Sequence, residues 1–314
     1  MLNSQTGKAY AVDAEHNAIS IFDPEKNSIS SVPVGVSPVA IAINEVTDRI
    51  YVANNGGGSV TVVDGQRDRV VATVSVGPLP FVLAVNPATN KIYVSNTFSN
   101  LITTIDGETN STTAVKAGSA DAMAIDTRRD RLYLAGYEDA NLLVLDGKAA
   151  VVGKVPAGIH PWGMALDEAT ATLYVTRSGD AELAIVDENS ATIKMVPTGA
   201  IPCAVAVNPA TRAVYVVNHG DDTVTVIDAV KHAVIATVKV GRRPQGIAVD
   251  ARKNRVYVAN THSDSITVID AAQQRVLKTL PCPKNPYALA VNPRTGQLFV
   301  ASLATPTLTV LEMR

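Results

Sequence analysis

The sequence is poor in cysteine and in aromatic residues, and it has no excess of charge of one sign. It contains two cysteines, Cys203 and Cys282, in 314 residues, 4% aromatic residues and a formal net charge of −2. The chain therefore lacks the excess of basic residues that would favour nucleic acid or an anionic membrane as a partner. No apolar run reaches the roughly 18 residues of a membrane-spanning helix. The cysteines lie about two repeats apart, so we expect two unpaired, buried thiols that behave as small apolar side chains.

Two further motifs are missing. Met1 runs directly into a repeat, without the basic and apolar regions of a signal peptide. No Cys-x-x-Cys-His is present, so covalently bound haem is not expected, and neither is a nucleotide.

What is present is apolar and β-branched. Hydrophobic residues make up 46% of the chain and charged residues 18%, which is typical of a globular protein. The apolar residues are mostly Val, Ile, Leu and Ala, and the β-branched ones among them favour strands.

A strand centred on an aromatic residue recurs along the whole chain. Its centres are Tyr10, Tyr51, Tyr93, Tyr133, Tyr174, Tyr215, Tyr257 and Phe299. The successive spacings are 41, 42, 40, 41, 41, 42 and 42 residues, and this regularity is the signature of a repeat architecture.

Each period contains four strand-like runs, A to D. In the sixth period they are residues 204–207, 213–217, 223–227 and 234–240. The connections are short and hold turn-forming Asn, Pro, Gly and Asp, which leaves no room for crossover helices. An antiparallel meander of four strands per period follows.

Such meanders bury both of their faces when they pack radially, so the sequence predicts an all-β fold, a single-domain β-propeller. We expect eight blades of four-stranded antiparallel sheets, with repeats near 1–35, 36–77, 78–118, 119–158, 159–199, 200–241, 242–283 and 284–314. The alternative is seven blades with a closing blade made from both termini. A recurrent alanine in strand A fits crowding of the inner strands.

The first repeat lacks most of strand A, and the last ends with a strand C near residues 307–312, without a strand D. Eight B and eight C strands favour eight blades over seven. The missing strand A also leads us to expect further residues upstream, including a signal.

The motifs resemble the YVTN family of β-propeller repeats. The resemblance rests on the Tyr-Val-x-Asn of strand B, the Val-Ile-Asp end of strand C and the Val-Gly-x-x-Pro link, and it covers essentially the whole chain. Departures in the Asn position are Asp13, Gly136, Arg177 and Ser302, and Asp121 replaces the link proline of the fourth repeat. Members are often secreted, periplasmic or surface-layer proteins, so the resemblance implies a periplasmic or extracellular protein. Related propellers include lactonases and the haem domain of a nitrite reductase.

The loops sort onto two faces. If strand D passes to the next strand A at the top, the B–C loops and D–A links share the top face, and the repetitive A–B and C–D turns share the bottom. Propeller ligands bind at the axial funnel, where loops converge. The irregular loops of the top face therefore predict the site of a small-molecule or metal ligand.

Four of the five histidines fall on top-face loops. They are His16, His160, His219 and His262. Imidazoles from neighbouring blades can hold Zn²⁺ or another divalent metal, which activates water for hydrolysis. No His-x-His or His-Glu-x-x-His spacing adds support. Glu15, Glu138 and Asp139 are carboxylates on B–C loops, but their spacing defines no acid–base pair.

Other top-face residues are candidates for ligand binding. They are Trp162, Arg177, Cys203, Arg243 and Tyr287. The aromatic rings can wall an apolar pocket, and the arginines can make its mouth cationic, which suits an anionic ligand. The alternative is packing between blades for the rings and solvation for the charges. Cys203 acts as a nucleophile only if its pKa is lowered by a neighbouring base.

Three functions remain open. The first is a non-enzymatic scaffold that binds a small molecule, a metal or a protein at the top-face funnel. The second is a metal-dependent hydrolase of esters, lactones or phosphotriesters. The third is an interaction module that presents blade edges to a partner. The residues do not identify a ligand, a metal or a substrate.

Overall fold

The structure is a computed structural model, and it describes residues 1–97, 99–118, 120–136, 140–158, 160–188, 192–304 and 308–313. These residues form β-strands, turns and loops, and no helix occurs among them. Accordingly, the described part of the chain holds no helix that could cross a membrane. The all-β class predicted from the repeat is confirmed.

The chain divides into two compact units, and the first comprises Met1–Gly136, Asn141–Pro156 and Pro306–Leu308. Its sheets are built from β1 (Ala9–Asp13), β2 (Ala18–Asp23), β3 (Ser28–Pro33), β4 (Pro38–Asn44), β5 (Arg49–Asn54), β6 (Ser59–Asp64), β7 (Arg69–Ser75), β8 (Pro80–Asn86), β9 (Lys91–Asn96), β10 (Leu101–Asp106), β11 (Thr112–Lys116), β12 (Ala122–Asp126), β13 (Arg131–Ala135), β14 (Asn141–Asp146) and β15 (Val151–Pro156).

The second unit comprises Tyr137–Ala140, Ala157–Thr305 and Thr309–Arg314. The remaining strands are β16 (Pro161–Asp167), β17 (Thr172–Arg177), β18 (Glu182–Asp187), β19 (Thr192–Pro197), β20 (Pro202–Asn208), β21 (Ala213–Asn218), β22 (Thr223–Asp228), β23 (Ala233–Lys239), β24 (Pro244–Asp250), β25 (Arg255–Asn260), β26 (Ser265–Asp270), β27 (Arg275–Pro281), β28 (Pro286–Val291), β29 (Leu298–Ser302) and β30 (Leu308–Leu311).

The described strands form eight antiparallel meanders, and these are the blades of a β-propeller. In each sheet the strands pair in chain order, as in β4-β5-β6-β7 and β24-β25-β26-β27. The eight-bladed propeller expected from the eight B and C strands is therefore confirmed, and the seven-bladed alternative was wrong.

The first and last sheets have three strands each, β1-β2-β3 and β28-β29-β30, whereas the other sheets have four. Leu2 forms a single bridge with Ala9 at the place of a strand A in the first sheet. The last sheet ends at β30, its strand C, of which the predicted first residue, Thr307, lies outside the described residues. The incomplete first and last repeats read from the sequence are thus present as incomplete sheets.

The A–B and C–D turns are closed by side chains at the strand ends. Asn44 Oδ1 accepts hydrogen bonds from the backbone N–H groups of Val46 and Thr47 at 3.0 and 3.3 Å. Asp64 Oδ1 does the same for Gln66 and Arg67, both at 3.0 Å. Such Asx turns explain the recurrent Asn and Asp by local chemistry.

In the seven sheets that have a strand A, the buried aromatic residue of strand B lies opposite the recurrent alanine of strand A. Tyr51 pairs in register with Ala42, and Tyr215 pairs with Ala206. Both tyrosines are fully buried. The small alanine side chain therefore leaves room for the large ring beside it. This explains the recurrence of alanine more specifically than the crowding of inner strands inferred from the sequence.

The core lies between successive sheets. One cluster combines Tyr51, Val60 and Val62 of one sheet with Ile92 and Val94 of the next. The other clusters likewise join successive sheets within a unit. Each blade thus buries an apolar face against its neighbour.

A polar chain reinforces this packing at the A–B turns. Asn44 Nδ2 donates to Asn90 Oδ1 at 2.8 Å in the following sheet, and Asn86 Nδ2 donates to Asp130 Oδ1 at 2.7 Å. Asn44 and Asn86 are fully buried, so these bonds satisfy groups that would be costly to leave unpaired.

Candidate functional site

The D–A links and B–C loops lie on the same side of each sheet. Thr261 N, which begins a B–C loop, donates to Arg243 O of the link at 3.2 Å. The equivalent bond from His219 N to Ile201 O measures 3.0 Å. The loops predicted to share the top face are therefore joined directly, and we call this the loop face.

The residue before the link proline has a left-handed backbone in blade after blade. Among the described residues these positions are Ser37, Leu79, His160, Ile201, Arg243 and Asn285, with φ between 48° and 53°. This conformation is uncommon outside glycine, above all for β-branched Ile201. The repeat fixes where these side chains leave the backbone, while the residue type differs from blade to blade.

Hydrogen bonds connect adjacent blades at these links. Asp222 Oδ1 accepts a hydrogen bond from Arg243 N at 2.8 Å, and Asp264 Oδ1 accepts one from Asn285 N at 2.9 Å. Our sequence reasoning overlooked these two carboxylates. Their common position directly before strand C was the available signal.

The asparagine of the Tyr-Val-x-Asn motif has a structural role. Asn260 is fully buried, and its Nδ2 donates to Thr267 Oγ1 at 2.9 Å and to Ser265 Oγ at 3.1 Å. Its Oδ1 accepts from Gly241 N of the link at 3.0 Å. The side chain thus ties strands B and C to the link.

Arg177 replaces this asparagine in the fifth blade, and acidic neighbours neutralise its charge. Its guanidinium forms an ion pair with Asp180 at 2.6 Å and another with Glu182. The guanidinium also lies against Gly158 of the link, where an added Cβ would collide with it. Because its charge is paired, we leave Arg177 out of the proposed site.

Cys203 lies inside the packing between blades. It is 6% exposed, and its Sγ is 3.6 Å from Pro244 O and 3.7 Å from Val217 O. Burial raises the pKa of the thiol to about 12. A buried neutral thiol is a poor nucleophile, so the geometry favours a packing role. Both cysteines are free, as expected from their spacing, but Cys282 is only half-buried, so the expectation of two buried thiols was wrong for this residue.

Two residues that flank Pro244 in the link and two histidines of B–C loops form a group that we call the Pro244 cluster. It comprises His219, Arg243, Gln245 and His262. His219 Nδ1 lies 3.2 Å from Pro244 O, so the ring donates from Nδ1 and leaves Nε2 as an acceptor when it is neutral.

Burial lowers the pKa of His219, and the backbone bond to Pro244 raises it. The charges of Arg243 and His262 lower this pKa further, while Asp222 raises it. The net shift is downward, which favours a neutral ring near pH 7. Arg243 and His262 therefore each lie within electrostatic reach of His219.

Two groups of this cluster have unused binding capacity. Within the described part of the chain, no carboxylate forms an ion pair with the Arg243 guanidinium. Gln245 Oε1 is buried and has no hydrogen-bond partner there. An unpaired buried acceptor costs free energy unless a ligand or water satisfies it.

The other predicted histidines are placed differently. His16 lies in the first unit, with its Nδ1 2.9 Å from Asp13 Oδ2, so a carboxylate already holds its ring. His160 is half-buried, and its carbonyl accepts bonds from Ser178 N and Oγ at 3.1 and 2.8 Å. Among the described residues, no three His, Cys, Asp or Glu side chains form a group suited to a metal ion. The four-histidine metal site stays a prediction. Glu138 and Asp139 lie outside the described residues.

Three aromatic residues are exposed at the start of inner strands, and one of them is Phe81 of β8, which is 40% exposed. Trp162 in β16 is 43% exposed, and Tyr287 in β28 is 45% exposed. Inner strands approach closely here, because a Cβ on Gly246 would lie 2.2 Å from Tyr287 O. Exposed rings beside a strand are suited to stacking on a planar ligand.

Solved structures similar to this chain are propeller-containing proteins. A chain of Kuenenia stuttgartiensis hydrazine synthase matches with a TM-score of 0.69 and 18% identity, over 88% of this chain and 95% of that one. Dihydro-heme d1 dehydrogenase NirN, solved in complex with DHE, matches with a TM-score of 0.80 and 14% identity, over 100% of this chain and 74% of that one. At these identities the likeness shows the fold.

A search of curated proteins found no match. The family model of the YNCE-like beta-propeller matches residues 29–312, which is nearly the whole chain. This agrees with the resemblance to YVTN repeats seen in strand B. The chain therefore belongs to the YNCE-like β-propeller family.

Proposed function

We propose that this chain is a non-enzymatic binding propeller that holds a small anion at the Pro244 cluster, on the loop face of its second unit. The supporting observation is the combination of an Arg243 guanidinium without a carboxylate partner among the described residues and an orphan acceptor on Gln245. The guanidinium can bind a carboxylate or phosphate through two parallel hydrogen bonds.

The chemistry of the other groups narrows the ligand. Gln245 Oε1 requires a donor, so a hydroxyl or amino group beside the anionic group fits. His262 can donate a hydrogen bond to the same anion, whereas Nε2 of the neutral His219 ring can accept one from the hydroxyl or amino group. A hydroxycarboxylate or an amino acid has this combination of groups. We also propose that the native protein is exported, in keeping with the resemblance to YVTN proteins.

Calorimetry offers a direct test of binding. Inorganic phosphate, malate, citrate and serine would be titrated into the untagged protein, with the fluorescence of Trp162, the single tryptophan, as a second measurement. We expect saturable binding of at least one hydroxycarboxylate or amino acid. Replacing Arg243 with Ala should weaken it about tenfold or more.

Arg294→Ala is the matched control, because Arg294 is an exposed arginine in an A–B turn away from the loop face. Its loss should leave affinity unchanged within about twofold, since distant surface charges are screened. Equal effects of the two variants would contradict the proposed site. Chelator-sensitive hydrolysis of esters, lactones or phosphotriesters would contradict the non-enzymatic assignment and support the metal-dependent hydrolase.

A further inference from the structure

The inner strands β20, β24 and β28 each carry an extra residue directly after the link proline. In β24 the pairing register shifts between Pro244 and Gly246, so Gln245 has no paired residue in β25. The same shift makes Cys203 the extra residue of β20 and Tyr287 that of β28. Such a bulge re-aims one side chain of its strand. The repeat therefore presents one variable side chain per blade at an equivalent place.

These three residues lie in successive blades, because β24 contacts β20 on one side and β28 on the other. Cys203 Sγ lies 3.9 Å from Gln245 O. On the other side, a Cβ added to Gly246 would collide with Tyr287 O, so only glycine permits this approach of the two strands. Gln245 thus has a small buried thiol on one side and an exposed tyrosine on the other.

A side chain of the B–C loop connects Arg243 to the backbone beside Tyr287. Thr261 N donates to Arg243 O at 3.2 Å. Thr261 Oγ1 donates at 2.8 Å to the carbonyl of Pro286, the residue directly before Tyr287. Thr261 is fully buried, so water does not compete for these bonds. The backbone positions from which Arg243 and Tyr287 extend are therefore fixed relative to each other.

Tyr287 differs from the tyrosines of the repeat motif. It is 45% exposed, whereas Tyr215 and Tyr257 are fully buried. On the β20 side of Gln245, the equivalent residue Cys203 is buried and offers no apolar surface of comparable size. An exposed ring near an unpaired guanidinium can stack on the ring of a ligand while the guanidinium binds the anionic group of that ligand.

We propose that the ligand of the Pro244 cluster is an aromatic hydroxy acid or amino acid whose ring stacks on Tyr287. This inference rests on the anion site proposed above and adds the chemical class of its ligand. The carboxylate pairs with Arg243, the hydroxyl or amino group donates to Gln245 Oε1, and the ring covers the exposed part of Tyr287. A few polar groups beside an apolar wall are the usual composition of a small-molecule site.

Two pairs of ligands isolate the contribution of the ring. L-lactate is compared with L-phenyllactate, and L-alanine with L-phenylalanine, by calorimetry on the untagged full chain. Within each pair the carboxylate and the hydrogen-bond donor are the same, and only the ring is added. We expect the aromatic member of at least one pair to bind about tenfold or more tightly than its aliphatic counterpart.

Variants of Tyr287 locate the contact with the ring. Tyr287→Ala should reduce the affinity ratio within that pair to less than about threefold, whereas Tyr287→Phe keeps an aromatic ring and should preserve the ratio. Arg243→Ala should weaken both members of the pair, because it removes the partner of their common carboxylate. Thermal unfolding of each variant, monitored by circular dichroism, checks that it is folded.

Phe81→Ala is the matched control. Phe81 is the exposed extra residue of β8, an inner strand that contacts β4 and β12. Its truncation removes an aromatic ring from the equivalent place in another blade, so the affinity ratio should change by less than about twofold.

Equal affinities within both pairs, together with binding of malate, citrate, phosphate or serine, would overturn the aromatic class and leave the anion site standing. A ratio that persists in Tyr287→Ala also overturns the proposal, and so does a ratio that is lost in Trp162→Ala instead, because the ring of the ligand then binds elsewhere. If none of these ligands binds, the anion site and the stacking contact are both overturned.

Discussion

Asn54 Nδ2 donates a hydrogen bond of 2.9 Å to Thr61 Oγ1, and both residues are buried. Asn54 Oδ1 also accepts from Gly35 N at 3.1 Å. One side chain of the repeat motif thus connects strands B and C of its blade to the preceding link. The asparagine of the motif therefore has a structural role and is not evidence of a binding site.

The first prediction concerns the stability supplied by this contact. Asn54→Ala removes both of these hydrogen bonds and leaves only the longer one from Gly35 N to Thr61 Oγ1, at 3.3 Å, so the free energy of unfolding should fall by about 1–3 kcal/mol. Urea denaturation measures this change. Asn141→Ala, at an exposed position in β14, should be nearly neutral. A Thr61→Val double-mutant cycle should show coupling with Asn54, and additive effects would contradict the contact.

The second prediction concerns thiol reactivity. Burial raises the pKa of Cys203 to about 12 and that of Cys282 to about 11. We expect Cys203 to react with a disulfide reagent at pH 8 only after unfolding, as followed in the Cys282→Ser variant. The half-buried Cys282, followed in the Cys203→Ser variant, should react faster in the native protein. Rapid labelling of native Cys203 would contradict its placement between blades.

The third prediction concerns acid stability. Burial by itself would raise the pKa of Asp64, but hydrogen bonds from Arg67 N and the Arg49 guanidinium lower it to about 2. Because the folded-state value lies below the usual 3.8, Asp64 stabilises the protein above pH 4, and this contribution is lost as the pH falls towards 2. Asp64→Asn should lower stability at pH 7 and flatten its decline in this window.

Asp228→Asn is the matched control for Asp64. Asp228 closes the same type of turn, but its ion pair with Lys231 is longer, at 4.0 Å, and more exposed. Urea unfolding between pH 2 and 7 should show the larger effect at Asp64. A larger loss of stability at Asp228 would show that the arginines around Asp64 contribute little.

The fourth prediction concerns the pH dependence of anion binding at the Pro244 cluster. The pKa of His219 lies below its usual 6.5, chiefly because the ring is buried. As the pH falls through this lowered value, the ring gains a positive charge beside Arg243 and His262, so affinity for an anion should rise. The negative charge of Asp222 favours the protonated ring, because it raises the pKa of His219.

Calorimetric titration with citrate between pH 5 and 8 would measure this dependence, after correction for protonation of citrate itself. His219→Gln keeps a hydrogen-bonding side chain but cannot gain charge, and it should reduce the rise in affinity at low pH. The same pH dependence in the wild type and in this variant would assign the effect to another group.

Much of the architecture could be predicted because interactions between residues close in sequence specify each repeat. The spacing of Tyr51 and Tyr93, the Asx turns at Asn44 and Asp64, and the incomplete first and last repeats each follow from a short stretch of sequence. The segregation of D–A links and B–C loops onto one face followed from the number of strands per repeat.

The candidate site was less accessible, because its chemistry depends on contacts between loops distant in sequence. Arg177 and Arg243 are both exceptional cations of the loop face. Arg177 is neutralised by Asp180 and Glu182 a few residues away, which a search of its own loop could have found. The hydrogen bond of His219 to the carbonyl of Pro244 joins two successive blades, and no local sequence pattern predicts it.

The amino-acid sequence thus specifies the number of blades, their strands and their turns, because hydrophobic alternation and turn residues act over a few positions. The packing of one sheet on the next decides which side chains remain available. It buries Cys203 and leaves Gln245 Oε1 without a partner among the described residues. These outcomes depend on desolvation and on neighbours brought together by the fold. Such interactions do not follow the repeat pattern of the sequence, so the sequence alone does not predict them.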